Sequence, residues 1–163
     1  MNHIDYAKII KITLGCCIAF ILAETFQLNY STSVITITLL SIMNTKKETY
    51  LVAGKRILAF LAAVLIGSIT FHLLRYSLLS LAAYLLLYHF VCQLGKITEG
   101  FSMSTVLMLH VWKGKAITLP LLSNELSLML IGISMGIVMN LYMPSRIERI
   151  RTAQRDIEVK MSQ

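Results

Sequence analysis

Among the ionisable side chains in the apolar stretches of this sequence, Glu24 and His110 are the candidates for proton exchange. An ionisable group inside a membrane-spanning segment is costly and is therefore a candidate for function. Both residues lie near the predicted outer boundary, on the first and fifth apolar stretches, and we expect one of them to carry protons. The alternative for Glu24 is an interface position paired with Arg75, and the alternative for His110 is a satisfied packing residue.

Hydroxyl side chains cluster in two short apolar stretches, Ser31–Met43 and Gly100–Trp112, which have 13 residues each. As helices they reach about 20 Å, against a hydrocarbon core of about 30 Å. In transporters with inverted repeats, short segments at matching positions of the two halves mark the binding site. The alternative is two ordinary helices whose hydroxyls bond to their own carbonyls. The candidate cargo-binding residues are Thr36, Thr38, Ser104 and Thr105, together with Arg56 at the cytoplasmic entrance of the third stretch.

No enzyme motif occurs in a setting that supports catalysis. The sequence contains no HExxH and no Gly-rich phosphate loop, so the metalloprotease and nucleotide-driven pump classes are not supported. Its GxSxG match, Gly132–Gly136, lies inside an apolar stretch rather than at the strand-to-helix turn of a hydrolase. Its three cysteines, Cys16, Cys17 and Cys92, lie in apolar stretches without CxxC spacing or neighbouring histidine ligands. They predict packing residues rather than a metal site or a disulfide. We expect no catalytic residues, no metal and no cofactor.

The composition excludes a soluble domain. Of 163 residues, 56% are apolar and only 14% are charged, whereas soluble domains carry about 25% charge. The sequence predicts an all-α integral membrane protein with six transmembrane helices over residues 1–144, arranged as two inverted three-helix repeats, and a cytoplasmic amphipathic helix over residues 145–163. The six predicted spans are Ile9–Leu28, Ser31–Met43, Ile57–Leu74, Ser77–Leu94, Gly100–Trp112 and Leu126–Met143.

The distribution of Lys and Arg predicts the orientation. Of the 15 basic residues, Arg75, Lys113 and Lys115 fall on one face and the other twelve on the face of the N-terminus. Because basic loops remain in the cytoplasm, both termini are expected there, in a multi-pass membrane protein. The net charge of +7 is thus explained by loops that fix the orientation in the membrane rather than by a nucleic-acid binding surface. The basic C-terminal segment predicts contact with anionic membrane lipid.

Small residues four apart predict close helix packing. The C-terminal segment adds a narrow apolar seam at spacings of three and four. We expect a homodimer or higher homo-oligomer that uses at least one small-residue stripe and the seam; packing within one chain is the alternative. The residues of these stripes and of the seam are Gly15, Ala19, Ala63, Gly67, Gly132, Gly136, Ile150 and Ile157.

Short polar signatures recur on this hydrophobic background. They are Ala23-Glu24, Leu28-Asn29-Tyr30, Lys46-Lys47-Glu48-Thr49, Gly54-Lys55-Arg56, Lys96-Ile97-Thr98-Glu99-Gly100, Ile131-Gly132 through Asn140, and Leu141-Tyr142-Met143-Pro144-Ser145. With them, the run from Lys8 to Met161 resembles the transmembrane half of the bacterial aromatic acid exporter family, which is related to the fusaric acid resistance proteins.

The resemblance implies an oligomeric six-helix bundle that exports small aromatic carboxylic acids. Because the sequence has no nucleotide site, we expect an ion gradient, that of protons, to drive export, with a small organic anion as cargo. Members of the family usually carry a sizeable cytoplasmic domain after the final span, whereas this sequence stops at Gln163. A hypothesis from another class is a non-transporting membrane scaffold or accessory subunit that recruits a protein partner through the cytoplasmic helix.

The predicted topology is tested by cysteine labelling in intact cells. In a background without the native cysteines, Ser162→Cys should react with a membrane-impermeant maleimide only after lysis, because the C-terminus is predicted to be cytoplasmic. Arg75→Cys, on the predicted outer face, is the matched control and should react before lysis. Labelling of Ser162→Cys in intact cells would contradict the prediction and place the C-terminus outside the cytoplasm.

Overall fold

The computed structural model describes residues 6–42 and 46–142, and within these ranges every regular element is a helix. The predicted all-α class is therefore confirmed. The predicted helix over residues 145–163, with Ile150 and Ile157, lies outside the described residues. The six α-helices are α1 (Tyr6–Thr25), α2 (Ser33–Ser41), α3 (Lys46–Leu73), α4 (Leu78–Leu94), α5 (Phe101–Gly114) and α6 (Leu119–Tyr142), with a single 3-10 turn (Thr98–Gly100) before α5.

Two segments of the described chain are long and apolar enough to cross a membrane, Tyr50–Leu73 in α3 and Leu119–Leu141 in α6. The helix Leu78–Leu94 is apolar but shorter. These apolar helices support a helical membrane protein, and the crossing of all six helices stays a prediction. We call the end of the bundle with the α1–α2, α3–α4 and α5–α6 connections the outer end, and the opposite end the inner end.

Three helices begin earlier than the apolar pattern indicates. Helix α1 starts at Tyr6 instead of Ile9. Helix α3 starts at Lys46 instead of Ile57, because its polar first turns form helix outside the apolar window. Helix α6 starts at Leu119 instead of Leu126. Its second residue is Pro120, which is tolerated in a first helical turn because the backbone N–H it lacks has no partner there. The earlier start places Asn124 and Glu125 inside the helix.

The helices of the two halves follow the same order of length. The first half has helices of 20, 9 and 28 residues, and the second half has helices of 17, 14 and 24 residues. The short α2 packs mainly against α6, and the short α5 packs mainly against α3. The short helix of each half thus packs against the long helix of the other half, as expected for two related halves. The inverted orientation of the halves stays a prediction.

The small-residue stripes are occupied by contacts within the chain. A Cβ added at Gly136 would overlap the Ser41 side chain and lie 2.9 Å from the Ser41 carbonyl carbon and oxygen. At Gly132 it would overlap Ile37, so α6 approaches α2 at both positions. The other stripe residues, Gly15, Ala19, Ala63 and Gly67, are also buried inside this chain. The predicted homo-oligomer stays a prediction, and these stripes serve the fold of the single chain.

The close approach of α2 and α6 predicts an asymmetry between two glycine substitutions. Gly136→Ala should lower the free energy of unfolding in detergent by about 1–3 kcal/mol, because the α2 backbone must move. Gly54→Ala is the matched control, since no atom lies within 4 Å of its added Cβ. It should leave stability unchanged or raise it by up to about 1 kcal/mol. Equal losses for both variants would contradict the packing.

Candidate functional site

An imidazole and a carboxylate meet at the outer end. His110 Nδ1 on α5 lies 2.8 Å from Glu125 Oε2 on α6. The other ring nitrogen, Nε2, lies 3.1 Å from the Ser33 hydroxyl, at the first residue of α2. The Glu125 side chain is only 1% exposed, and that of His110 is 14% exposed. The structure thus joins three helices through one buried acid–base pair.

Neighbouring side chains fix the position of both members. The ring of Tyr30 stacks on the His110 ring with 4.2 Å between centroids and an interplanar angle of 10°. Asn124 Nδ2 lies 3.3 Å from Glu125 Oε1, so the amide donates to the second carboxylate oxygen. Because both carboxylate oxygens have a donor or an imidazole beside them, the burial cost of the charge is offset.

The same asparagine ties the α1–α2 connection to α6. Asn124 Nδ2 donates to the Asn29 carbonyl at 3.0 Å, and the Asn29 N–H donates to Asn124 Oδ1 at 2.8 Å. The Asn124 side-chain amide therefore makes two hydrogen bonds to the Asn29 backbone, one to its N–H and one to its carbonyl. Displacement of α6 at Asn124 and Glu125 would break bonds to the α1–α2 connection and to α5 together.

An imidazole bonded to a buried carboxylate can hold a proton on either group, and the pair changes its charge by one when that proton leaves. The Ser33 hydroxyl both donates and accepts, so it can pass a proton to or from Nε2. The arrangement is therefore chemically able to take up and release protons. Among residues 6–42 and 46–142, no three His, Cys, Asp or Glu side chains are grouped to hold a metal ion.

Glu24 lies apart from this pair. Its carboxylate accepts a hydrogen bond from the Ser31 hydroxyl, and its side chain is exposed. In the part of the chain that the structure describes, no ion pair links Glu24 to Arg75. The structure thus brings His110 into a buried pair and leaves Glu24 at the outer surface.

The partners of His110 were missed by the sequence analysis. Glu125 and Asn124 fell in the presumed connection because the predicted span began at Leu126, and Ser33 was noted only as one hydroxyl among several. The available signal was Pro120, since proline in a first turn followed by apolar residues marks a helix start. That helix start would have placed Glu125 within reach of the fifth span.

The predicted cargo-binding hydroxyls occupy different surroundings. Thr36 is exposed, while the hydroxyls of Thr38, Ser104 and Thr105 are buried and have no hydrogen-bond partner among the described residues. Bonding to their own helix carbonyls, the alternative weighed above, is not found for these three. Thr38 faces α1 and α6, with its Cγ2 near Gly15 and its backbone N near Gly132. The threonines of α2 therefore do not share one surface with Ser104 and Thr105.

Arg56 lies at the inner end and is buried, with 5% exposure. Its Nη1 donates to the Ser41 hydroxyl at 2.7 Å, and its Nη2 donates to the Leu40 carbonyl. These groups form the C-terminal end of α2, where a cation favourably meets the helix dipole. Asn140 of α6 donates to the Ser41 carbonyl at 3.2 Å. The guanidinium therefore caps α2 and holds it beside α3.

A second ion pair lies nearby at the inner end. Lys55 Nζ lies 2.6 Å from Glu99 Oε1, and both side chains are about one-third exposed, 30% and 34%. The hydrogen bond from Lys55 lowers the pKa of the Glu99 carboxyl below its ordinary value. Lys55 belongs to α3 and Glu99 to the 3-10 turn before α5, so the pair joins the two halves.

The apolar helices and the ionisable pair buried among them define a helical membrane protein. Comparison with known families identifies the family. The family model described as aromatic acid exporter family member 1 matches residues 4–143, and the chain belongs to this family. The chain is also 32% identical over 158 residues to the uncharacterized protein YqjA of Bacillus subtilis (strain 168), an alignment that covers 97% of the chain and 49% of YqjA. The chain thus spans about half the length of this relative. No solved structure matches it.

The ion pair at the inner end predicts a pH-dependent contribution to stability. Since its pKa is lowered in the folded chain, Glu99 stabilises the fold above its unfolded-state pKa, and this contribution is lost as pH falls through the folded-state pKa. Glu99→Gln should lower the free energy of unfolding at neutral pH by less than about 1 kcal/mol, because the pair is partly solvated. Thermal unfolding in detergent should show the difference vanishing in acid. A difference that grows in acid would contradict this assignment.

Proposed function

We propose that the chain exports small aromatic carboxylic acids across the bacterial inner membrane, driven by a proton gradient, with His110 and Glu125 as the proton-exchanging pair. Its membership of the aromatic acid exporter family supports the export of such acids. The buried pair, with 2.8 Å between Nδ1 and Oε2, is the single observation that carries the coupling. A buried pair of this kind is where transporters place their proton carriers.

Protonation changes which bonds the pair can make. A carboxylate only accepts, whereas a carboxylic acid also donates, and an imidazolium donates from both nitrogens. The bonds of His110 and Glu125 reach Ser33 on α2 and Asn124 on α6. A proton that arrives or leaves therefore alters the ties between α2, α5 and α6 at the outer end.

Helix α2 connects this pair to the inner end. Its first residue, Ser33, contacts His110, and its last residue, Ser41, accepts from Arg56. The helix has only nine residues, so a displacement at one end is transmitted to the other within about 14 Å. The outer bonds of α2 are thus mechanically linked to the inner ones.

The polar bonds at both ends cross between the two halves of the chain. At the outer end, Asn29 pairs with Asn124. At the inner end, Ser41 accepts from Asn140, and the Lys55–Glu99 pair adds a second link. Each end therefore has its own set of bonds between the two halves. Transport by alternating exposure of a central site requires this separation.

The cargo is a small organic anion that approaches from the cytoplasm. Arg56 and the Lys55–Glu99 pair together carry one net positive charge at the inner end, which attracts such an anion. The unpartnered hydroxyls of Ser104 and Thr105, and that of Thr38 on a separate surface, offer hydrogen bonds to uncharged polar groups of the cargo. We further propose that the protein works as a homodimer or higher homo-oligomer surrounded by membrane lipid, as its resemblance to the exporter family implies.

Proteoliposomes with an imposed pH gradient test the coupling. Glu125→Gln keeps the shape of the side chain and one accepting oxygen but cannot ionise, so the rate of gradient-driven transport of a fluorescent aromatic acid should fall at least about tenfold, or about 1.4 kcal/mol. Glu24→Gln is the matched control at an exposed outer carboxylate and should transport within about twofold of the unmodified rate.

Three results would contradict the proposal. Unchanged transport by Glu125→Gln would remove the buried pair from the mechanism. Loss of transport in Glu24→Gln alone would move proton exchange to the outer surface. If the unmodified protein moves none of a broad panel of aromatic acids, the role of a scaffold or accessory subunit replaces export.

A further inference from the structure

A column of aromatic rings runs along the face of α4 that packs against α3 and α5. Phe71 and Tyr84 have 5.3 Å between ring centroids, Tyr84 and Tyr88 have 5.4 Å, and Tyr88 and Phe101 have 5.3 Å. Phe71, Tyr84 and Tyr88 are fully buried. The rings of Tyr84 and Tyr88 lie nearly parallel, at 12°. The column therefore presents several aromatic faces in a dry part of the bundle.

Hydroxyls of α5 face this column without completing hydrogen bonds to it. Thr105 interacts with the Tyr84 hydroxyl and Ser104 with that of Tyr88. Neither pair reaches hydrogen-bond geometry, and the hydroxyls of Tyr84, Thr105 and Ser104 have no partner among the described residues. Buried hydroxyls without partners are rare because each has lost its hydration. Two facing hydroxyls that do not meet leave a place for a bridging polar group.

The surroundings of these hydroxyls carry no fixed charge. The buried cluster that contains Phe71, Tyr84 and Tyr88 also includes Ala63, Cys92, Met108 and Val111, none of which carries a fixed charge. An anion between Tyr84 and Thr105 would therefore be buried without a counter-charge, which is strongly unfavourable. The chemistry of the site selects an uncharged group.

One flexible side chain fills the space beside the column. A Cβ added at Gly67 would overlap the terminal methyl of Met108 and lie 3.5 Å from ring atoms of both Phe71 and Tyr84, so this methyl fills the notch left by Gly67. Methionine has three rotatable bonds and adapts its shape to its neighbours. Rotation of Met108 would open room next to the Tyr84 ring. Met108 and Thr105 lie three residues apart on α5 and so share a helix face.

We propose that the aromatic seam formed by Phe71, Tyr84, Tyr88, Ser104, Thr105 and Met108 binds an uncharged aromatic ring that carries one hydrogen-bonding group. The ring stacks on Tyr84 after Met108 leaves the Gly67 notch. The polar group bridges the hydroxyls of Tyr84 and Thr105. The inference rests on the proposed function at one point. If the protein exports aromatic acids, the ring of the cargo enters the aromatic seam and its carboxylate stays outside.

The test compares two fluorinated probes of nearly equal shape, 4-fluorobenzamide and 4-fluorobenzoate, by 19F NMR with the full chain in nanodiscs at pH 8, where the acid is an anion. Empty nanodiscs report partitioning into lipid. The benzamide should bind saturably and at least about tenfold more tightly than the benzoate. The reason is that burial without a counter-charge costs free energy only for the anion. Tyr84→Phe and Thr105→Val should each weaken benzamide binding several-fold.

Control variants separate the site from general damage to the fold. Ser102→Ala removes an exposed hydroxyl from the same helix and should leave binding unchanged, and Thr105→Ser keeps the hydroxyl and should restore it. Equal or tighter binding of the benzoate, no saturable binding of the benzamide, or unchanged binding in both Tyr84→Phe and Thr105→Val would overturn the proposal. These measurements need no transport, so loss of the seam and loss of proton-driven export are distinguished.

Discussion

Burial of the Glu125 carboxylate is the constraint on which the outer end depends. A carboxylate with 1% exposure is tolerated only where hydrogen bonds and a compensating group surround it. Here His110 approaches one oxygen and Asn124 donates to the other. These partners require α5 and α6 to lie side by side at their outer ends, with the α1–α2 connection bound to Asn124. The position of one acidic side chain therefore fixes the relation of three helices and a connection.

Helix α2 depends on this constraint more than any other element. It is too short to be held by its apolar face alone, and it is bonded at its first residue to His110 and at its last to Arg56. Between these ends, Gly132 and Gly136 bring the α6 backbone against Ile37 and Ser41. Close backbone packing is the main source of contact energy between helices in lipid. Polar bonds at the ends and glycine contacts in the middle thus hold α2 in a single register.

The all-α class, the order of the helices and the family were accessible from the sequence because hydropathy and short polar signatures are local properties. His110 was selected for the same reason, as an ionisable group on an apolar stretch. Glu125 was not, because the polar run Ser123, Asn124 and Glu125 interrupts the apolar pattern in the first turns of α6. The glycine spacing predicted close approach, but the identity of the facing helix is a tertiary property. The separation of Thr38 from Ser104 and Thr105 depends on how the helices are rotated, which hydropathy does not specify.

The central claim is that a proton on the His110–Glu125 pair is exchanged as cargo binds. It is tested most directly by measuring proton release or uptake when benzoate is added to the purified protein in weakly buffered detergent solution with a pH indicator. The account predicts a saturable proton change in the unmodified protein that is absent in Glu125→Gln and retained in Glu24→Gln. Benzoate binding with no proton change, or with the same change in Glu125→Gln, would contradict it.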